Sequence, residues 1–133
     1  MDDETLHNLI RTRFKDEVVG TTKLVVAYDN APFVEPEGKM WVRLNIQHSI
    51  TNQTEIGATK RFRTYGLIIV QIFIPIEEGD VDALILAKTI RDTYRCTTIS
   101  GVTYQTPYKD IVGRSGKWYQ INVVCPFHAD DTQ

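Results

Sequence analysis

Apolar residues Leu6, Leu9, Ile10, Phe14 and Val18 recur at spacings of three and four, which places them on one stripe of a helix over residues 3–18. Asp2, Asp3 and Glu4 stand at its start and Arg11, Arg13 and Lys15 toward its end, the order that complements the helix dipole, and Gly20 marks the exit. Residues 23–28 are a short β-rich run; 29–39, with two Pro, a Gly and several acids, read as an irregular connection. Over residues 40–50 the period changes to two. Met40, Val42, Leu44, Ile46 and Ile50 share one strand face, and Trp41, Arg43, Asn45, Gln47 and Ser49 share the other. Residues 51–60 are polar and predict a loop longer than a tight hairpin needs. A long strand over 61–74 follows, and it breaks the alternation. Ile68, Val70, Ile72 and Ile74 make one apolar face, while Tyr65, Leu67, Ile69 and Phe73 make the opposite face apolar too. Gly79 and Asp80, the latter as cap, open a second helix with Ala83, Leu86, Ala87, Ile90 and Tyr94 inward, ending near Arg95 or Cys96. Two more strands, 102–106 and 117–125, are joined through 107–116, with Pro126 stopping the last and 128–133 fraying.

This order predicts an α+β domain spanning residues 1–133: an antiparallel four- or five-stranded sheet, its neighbouring strands paired as hairpins, with two helices packed on one face. Two helices cannot cover both faces, so the second face stays open. Leu67, Ile69 and Phe73 lie there, and burying each contributes roughly 1.5 to 3 kcal/mol. Val81 and Ile85 point away from the inward stripe of the second helix and add a smaller apolar spot. Two covers are available: segment 29–39, folding back with Phe33 and Val34, or another copy of the chain. On the second reading Ile69→Asp or Phe73→Asp leaves a folded but poorly assembling subunit, whereas Ile72→Asp unfolds it.

Composition narrows the function classes. The chain has 133 residues, 42% hydrophobic and 24% charged, a length that supports one core without metal or disulfide staples. A net charge of −2 excludes a global field toward nucleic acid or an anionic membrane. The acidic N-terminus lacks a signal-peptide pattern, the longest apolar run is too short to span a bilayer, and the two cysteines fit a reducing cytosol. Convergent chemistry is missing. His7, His48 and His128 have no partner at a recognised spacing. Cys96, Cys125, His48 and His128 lack the paired spacings of zinc folds, and Cys125 has the parity of a buried strand thiol. Serine-nucleophile, phosphate-loop, dinucleotide and metalloprotease motifs are absent. The reading is therefore no enzyme, no catalytic residues, no cofactor and no metal. Two basic clusters remain. Lys60, Arg61 and Arg63 open the long strand; Lys109, Arg114 and Lys117 surround the run Gly113 to Gly116, a GxxG that reads better as a glycine turn before a strand than as a nucleic-acid clamp.

Taken together, the N-terminal helix ending in Arg13-Phe14, the stretch APFVEPEGKMWVRLNI (31–46), the run YGLIIVQIFIPIEEG (65–79), the helix around 87–94 and the closing KWYQINVVCPF (117–127) resemble the tail-terminator-like, or tail completion, proteins of long-tailed bacteriophages. The resemblance implies a non-enzymatic virion protein, assembled in the host cytoplasm, that forms a ring, typically hexameric, on the head-proximal end of the tail tube. Such a ring stops tube polymerisation and offers a surface to head-tail connector proteins. The implied partners are the chain itself, the tail tube protein and the connectors, with transient contact to passing DNA and none to membrane. Leu67, Ile69, Phe73, Val81 and Ile85 are then the candidate subunit interface, and Asn52, Gln53, Thr54, Glu55 and Ile56 the candidate docking loop. Lys60, Arg61, Arg63, Arg114 and Lys117 are the candidate channel or phosphate contacts. A head-tail neck or completion protein is the near alternative, and a small nucleic-acid-binding module using residues 113–117 the distant one.

Overall fold

The computed structural model describes residues 3–20, 24–28, 33–36, 38–55, 61–76, 81–99 and 101–132. Helix α1 spans Asp3–Phe14 and runs into a π-helical turn, Lys15–Val19. Gly20 closes that turn from a left-handed φ of 48°, its N–H donating to the Lys15 carbonyl at 2.9 Å. Strands β1 (Val25–Tyr28), β2 (Trp41–Glu55) and β3 (Arg61–Pro75) come next, followed by helix α2 (Val81–Tyr94). Four further strands, β4 (Thr98–Ile99), β5 (Val102–Tyr104), β6 (Tyr108–Ser115) and β7 (Trp118–Thr132), complete the chain.

The seven strands form one mixed sheet in the order β1-β2-β3-β7-β5-β4, with β6 paired to β7. It curls into a half-barrel. The expected four- or five-stranded antiparallel sheet is thus corrected in number and in direction, and each difference has a local cause. β1 lies parallel to β2, not in a hairpin with it. A parallel neighbour requires a crossover, and connection 29–40 is long enough to make one. Residues 108–115 carry no alternating pattern of their own, yet they pair with β7 from Tyr108↔Val124 to Ser115↔Trp118 and become β6. The stretch read as a loop from residue 51 is strand as far as Glu55, because the β2–β3 ladder extends through Asn52↔Arg63 and Gln53↔Phe62.

Pro126 does not stop β7. The Pro126 carbonyl accepts from the Gln105 N–H at 2.8 Å, so its nitrogen faces the same edge, where β6 ends and β5 begins. The donor that proline lacks would face the Gln105 carbonyl, which instead accepts from the Cys96 N–H at 3.3 Å, so no acceptor is left unsatisfied there. The strand therefore runs on through the segment expected to fray.

Both helices pack on one sheet face. Leu6, Ile10, Phe14 and Val18 meet Ala83, Ala87, Ile90 and Tyr94 over a floor of Val42, Leu44, Ile68, Val70, Ile72, Ile121 and Val123, all buried. The helices are also tied end to end. Arg13 donates from Nε and Nη2 to the Thr93 carbonyl at 3.1 and 2.5 Å, satisfying an acceptor in the last turn of α2. Its guanidinium lies over the rings of Tyr94 and Tyr104, and the Tyr94 hydroxyl donates to the Ile10 carbonyl at 3.0 Å. Strands of 15 residues are about 50 Å long, whereas helices of 12 and 14 residues reach only about 20 Å. Much of the sheet consequently extends past its helical cover.

Candidate functional site

On the face away from the helices, two regions behave differently. Around the start of β2, Trp41 stacks on Phe73 (centroids 4.3 Å apart), packs at a tilt against Phe33 (4.9 Å), and meets Trp118 edge-on at 6.0 Å. Trp118 Nε1 donates to Glu35, fixing the 33–36 segment over the sheet. Ala27 and Val25 complete this cluster. Arg43 lies over Trp41 and Lys117 over Trp118, capping the aromatics with cations. Phe73 is accordingly only 9% exposed within its own chain. The expectation that it lies open is corrected: the 33–36 segment covers this cluster through Phe33. Val34 does not join, and stands 89% exposed.

Farther along the same face the cover stops. The register sets Asn45, Ile69, Val124 and Tyr108 in one row across β2, β3, β7 and β6, and Gln47, Leu67 and Pro126 in the next. Leu67 and Ile69 are half-buried and belong to neither buried cluster, whereas Val124 in the first of these rows is buried. An amide row, Gln71 and Asn122 beside Arg43, separates this strip from the aromatic cluster, and Gln120 Nε2 donates to Asn122 Oδ1 at 2.8 Å.

The remaining exposed apolar side chains lie on α2, on β4 (Ile99) and on β6. Val81 and Ile85 on α2 are 66% and 61% exposed. Ile85 and Leu86 border an apolar groove of about 440 Å³ with Leu24 and Met40, and Asp82 in its wall. At the opposite margin Tyr108, Ile111 and Val112 of β6 are about half exposed.

The basic candidates do not converge. Arg63 forms a two-pronged pair with Asp130, Nε to Oδ1 at 2.7 Å and Nη2 to Oδ2 at 3.2 Å, which holds its guanidinium in the charged form. Arg61 begins β3 nearby, and Lys60 lies outside the described residues. Arg114 and Lys117 flank the β6–β7 turn. Measured along β7, from the partner of Arg114 (Tyr119) to that of Arg63 (Asp130), the two groups are roughly 35 Å apart. Gly113 and Gly116 have φ of 95° and 62°, so the GxxG run is a bulge and a turn that need glycine. Of the candidate docking residues, Asn52, Gln53, Thr54 and Glu55 lie on β2 near its far end, and Ile56 lies outside the described residues.

One pairing had no signal in sequence. His7 of α1 and His48 of β2 stack with rings 4.9 Å apart and 5° from parallel, their Nε2 atoms at 2.7 Å, and His48 meets Phe127 edge-on. Separated by 41 residues, they are joined only by the fold. The third histidine, His128, lies across from Tyr65; burial and the Arg63 charge lower its pKa, and Asp130 partly opposes them. Burial pushes the Cys125 thiol up to about 12, which suppresses the reactive thiolate. No group of three or more His, Cys, Asp or Glu able to hold a metal occurs among the described residues.

Fold and surface define a class: a β-rich subunit whose titratable groups are dispersed and whose uncovered apolar positions lie on one sheet face and at two sheet margins. The family model for phage tail terminator protein matches residues 5–127, and the chain belongs to that family. It is a structural protein of the phage tail, and its setting is the virion tail among other tail proteins. Fourteen solved chains match; one aligns over 97% of this chain and 96% of its own with a TM-score of 0.75 at 15% sequence identity, a likeness of fold. No curated protein matches.

Proposed function

We propose that this chain, acting as one domain, assembles into a ring on the head-proximal end of the tail tube, where it halts tube growth and presents a docking surface to the head connectors. The observation that carries the reading is the half-buried apolar pair Leu67 and Ile69 on the sheet face away from the helices, in a family named for tail termination. Apolar side chains on a sheet face, with the helices all on the other side, are surface a neighbouring protein stabilises by covering. Ring closure needs unlike surfaces to meet, and this subunit has apolar positions at unlike places: the open strip, Val81 and Ile85 on α2, and β6. The hairpin of β2 and β3, carrying Asn52 to Glu55, reaches beyond the helices and is the part suited to touch the tube. Arg61, Arg63, Arg114 and Lys117, spread over both ends of the sheet, suit weak passing contact with DNA better than a binding groove.

Size-exclusion chromatography with light scattering, followed by negative-stain imaging with and without the tail tube protein, tests this directly. Rings, and tubes of arrested length in their presence, are the expected result. A strict monomer at high concentration that leaves tube growth unchanged overturns it. Capture of portal or adaptor protein without any tube protein moves the role to the neck.

A further inference from the structure

The sheet is bounded by β1 on one side and, on the other, by β6 along the first part of β7 and by β5 with the two-residue β4 farther on; β1 and β6 are built differently. β1, Val25–Tyr28, carries no charge, proline or bulge, and no strand pairs its outer side among the described residues. Open edges of that kind are normally blunted. On the helix side of β1 lies the 440 Å³ groove of Leu24, Met40, Ile85 and Leu86. The other margin, β6, is blunted over half its length: the register shift between Ile111 and Gly113 makes Val112 a bulge and leaves four regular residues, Tyr108 to Ile111, before it. β1 also has four residues.

We propose that the β6 edge of one copy adds to the β1 edge of the next, antiparallel, so that the sheet continues from subunit to subunit and Ile111 enters the neighbour's groove. The inference rests on the ring reading above and specifies its contact. Three observations converge on it. The faces agree, because Ile111 pairs with Ile121 and so lies on the helix side of the sheet, where the groove is. The charges agree: Lys109 and Arg114, opposite Val123 and Tyr119, flank Ile111 on that same face, and the groove wall contains Asp82. The apolar surface agrees as well, since Ile111 at 52% and Ile85 at 61% exposure are each left wet in the single chain. With strand directions as they stand, β6 runs opposite to β1, so copies pointing the same way meet antiparallel. Joining two unlike edges is a head-to-tail contact, which closes into a ring when the curl of the sheet supplies the rotation. Strand addition of this kind draws affinity from backbone hydrogen bonds and specificity from alternate side chains.

The test uses the full chain with Cys96→Ser, since Cys96 is exposed and Cys125 is buried. Combining Leu24→Cys with Ile111→Cys places one thiol at each margin. Within one subunit those margins are four strand spacings apart, about 19 Å, far beyond disulfide reach, so any bridge joins two copies. Mild oxidation is expected to give a ladder of covalent multiples, absent from either single-cysteine chain. Ile111→Asp, at a half-exposed position that leaves the fold intact by circular dichroism, is expected to weaken self-association at least about tenfold. Asp82→Arg is expected to do the same and Arg114→Asp to restore it. A ring that persists in Ile111→Asp without a ladder overturns this contact while leaving the ring reading standing. The same holds if Ile111→Asp keeps the ring and loses the tube protein, which would assign the edge to the tube. A wild-type chain that never associates removes both.

Discussion

The two faces of this sheet differ in how they are finished. On the helix side, buried positions of β2, β3 and β7 lie under α1 and α2, and the groups that tie the helices together have partners: Arg13 with Thr93, Tyr94 with Ile10. The other side is finished over one end only, where a crossover segment lays Phe33 on Trp41 and Glu35 on Trp118. Beyond that cluster Leu67 and Ile69 are only half-buried and join neither buried cluster. The lesson is that apolar character along a strand does not by itself distinguish core from interface. Ile69, Ile72 and Phe73 are similar in sequence and lie within five residues of one another, yet they occupy three environments.

Substitution at those positions separates the environments. Ile72→Asp should leave no cooperatively folded protein, because the carboxylate would sit fully buried beneath both helices with no partner. Phe73→Asp should also be severe, costing about 3 to 5 kcal/mol by loss of the ring from its stack on Trp41. Chemical denaturation followed by tryptophan fluorescence measures both. A Phe73→Asp chain as stable as wild type would show that the aromatic cluster does not seal that end of the face. Gly66→Ala comes next. A Cβ there would lie 2.4 Å from the Gln47 carbonyl and 2.5 Å from the Phe127 ring, which covers the glycine from the neighbouring strand. A backbone atom cannot swing aside, so the expected loss is about 1 to 3 kcal/mol in the same assay.

The sequence pattern was sufficient for the two helices, their inward stripes and the faces of β3 and of β2 as far as His48, since each of these rests on a local period of 3.6 or 2; the register shift between His48 and Ile50 pairs Ile50 with Tyr65 and breaks the expected alternation there. What it missed depends on partners distant in the chain. β6 is strand only because β7 lies beside it, and β7 tolerates Pro126 because the carbonyl opposite, that of Gln105, takes its hydrogen bond from Cys96. β1 is parallel to β2, a pairing that depends on a crossover and that no periodicity records. For the candidate surface, Val81, Ile85, Leu67 and Ile69 were visible as apolar residues off the helix stripe or on the second strand face. The sealing of Phe73 and the margin residues Tyr108, Ile111 and Val112 were not, because both depend on which segments pair or fold over.

Alkaline pH probes the finished face selectively. Burial raises the pKa of Tyr94, Tyr104 and Cys125, the last to about 12. In each the neutral form is favoured on folding, so the native state holds protons that the unfolded chain has already released. Stability is therefore full below the ordinary range of each group, and falls as pH rises past about 9 for the thiol and about 10 for the phenols. Denaturation midpoints at pH 7, 9 and 10.5 should decline in that order. Tyr94→Phe should cost about 1 kcal/mol at pH 7 through the lost bond to Ile10, and should flatten the alkaline decline. An unchanged alkaline slope in that variant would mean that Tyr94 is not among the groups that set it.

The smallest expected effect on folding is the most informative about the open face. Ile69→Thr keeps a β-branched side chain on β3 and removes apolar surface at a position that its own chain only half covers. Its stability should stay within about 1 kcal/mol of wild type, since little buried area changes and the hydroxyl can remain hydrated. Assembly should respond out of proportion, because the strip does its burying only when a neighbour arrives. The measurement is paired: denaturation midpoint on one aliquot, association by light scattering with and without tube protein on another. Unfolding and association losses of equal size would place Ile69 in the core after all. No loss of either kind would make the strip ordinary wet surface, and would leave assembly to the exposed apolar side chains elsewhere, Val34, Val81, Ile85 and those of β6.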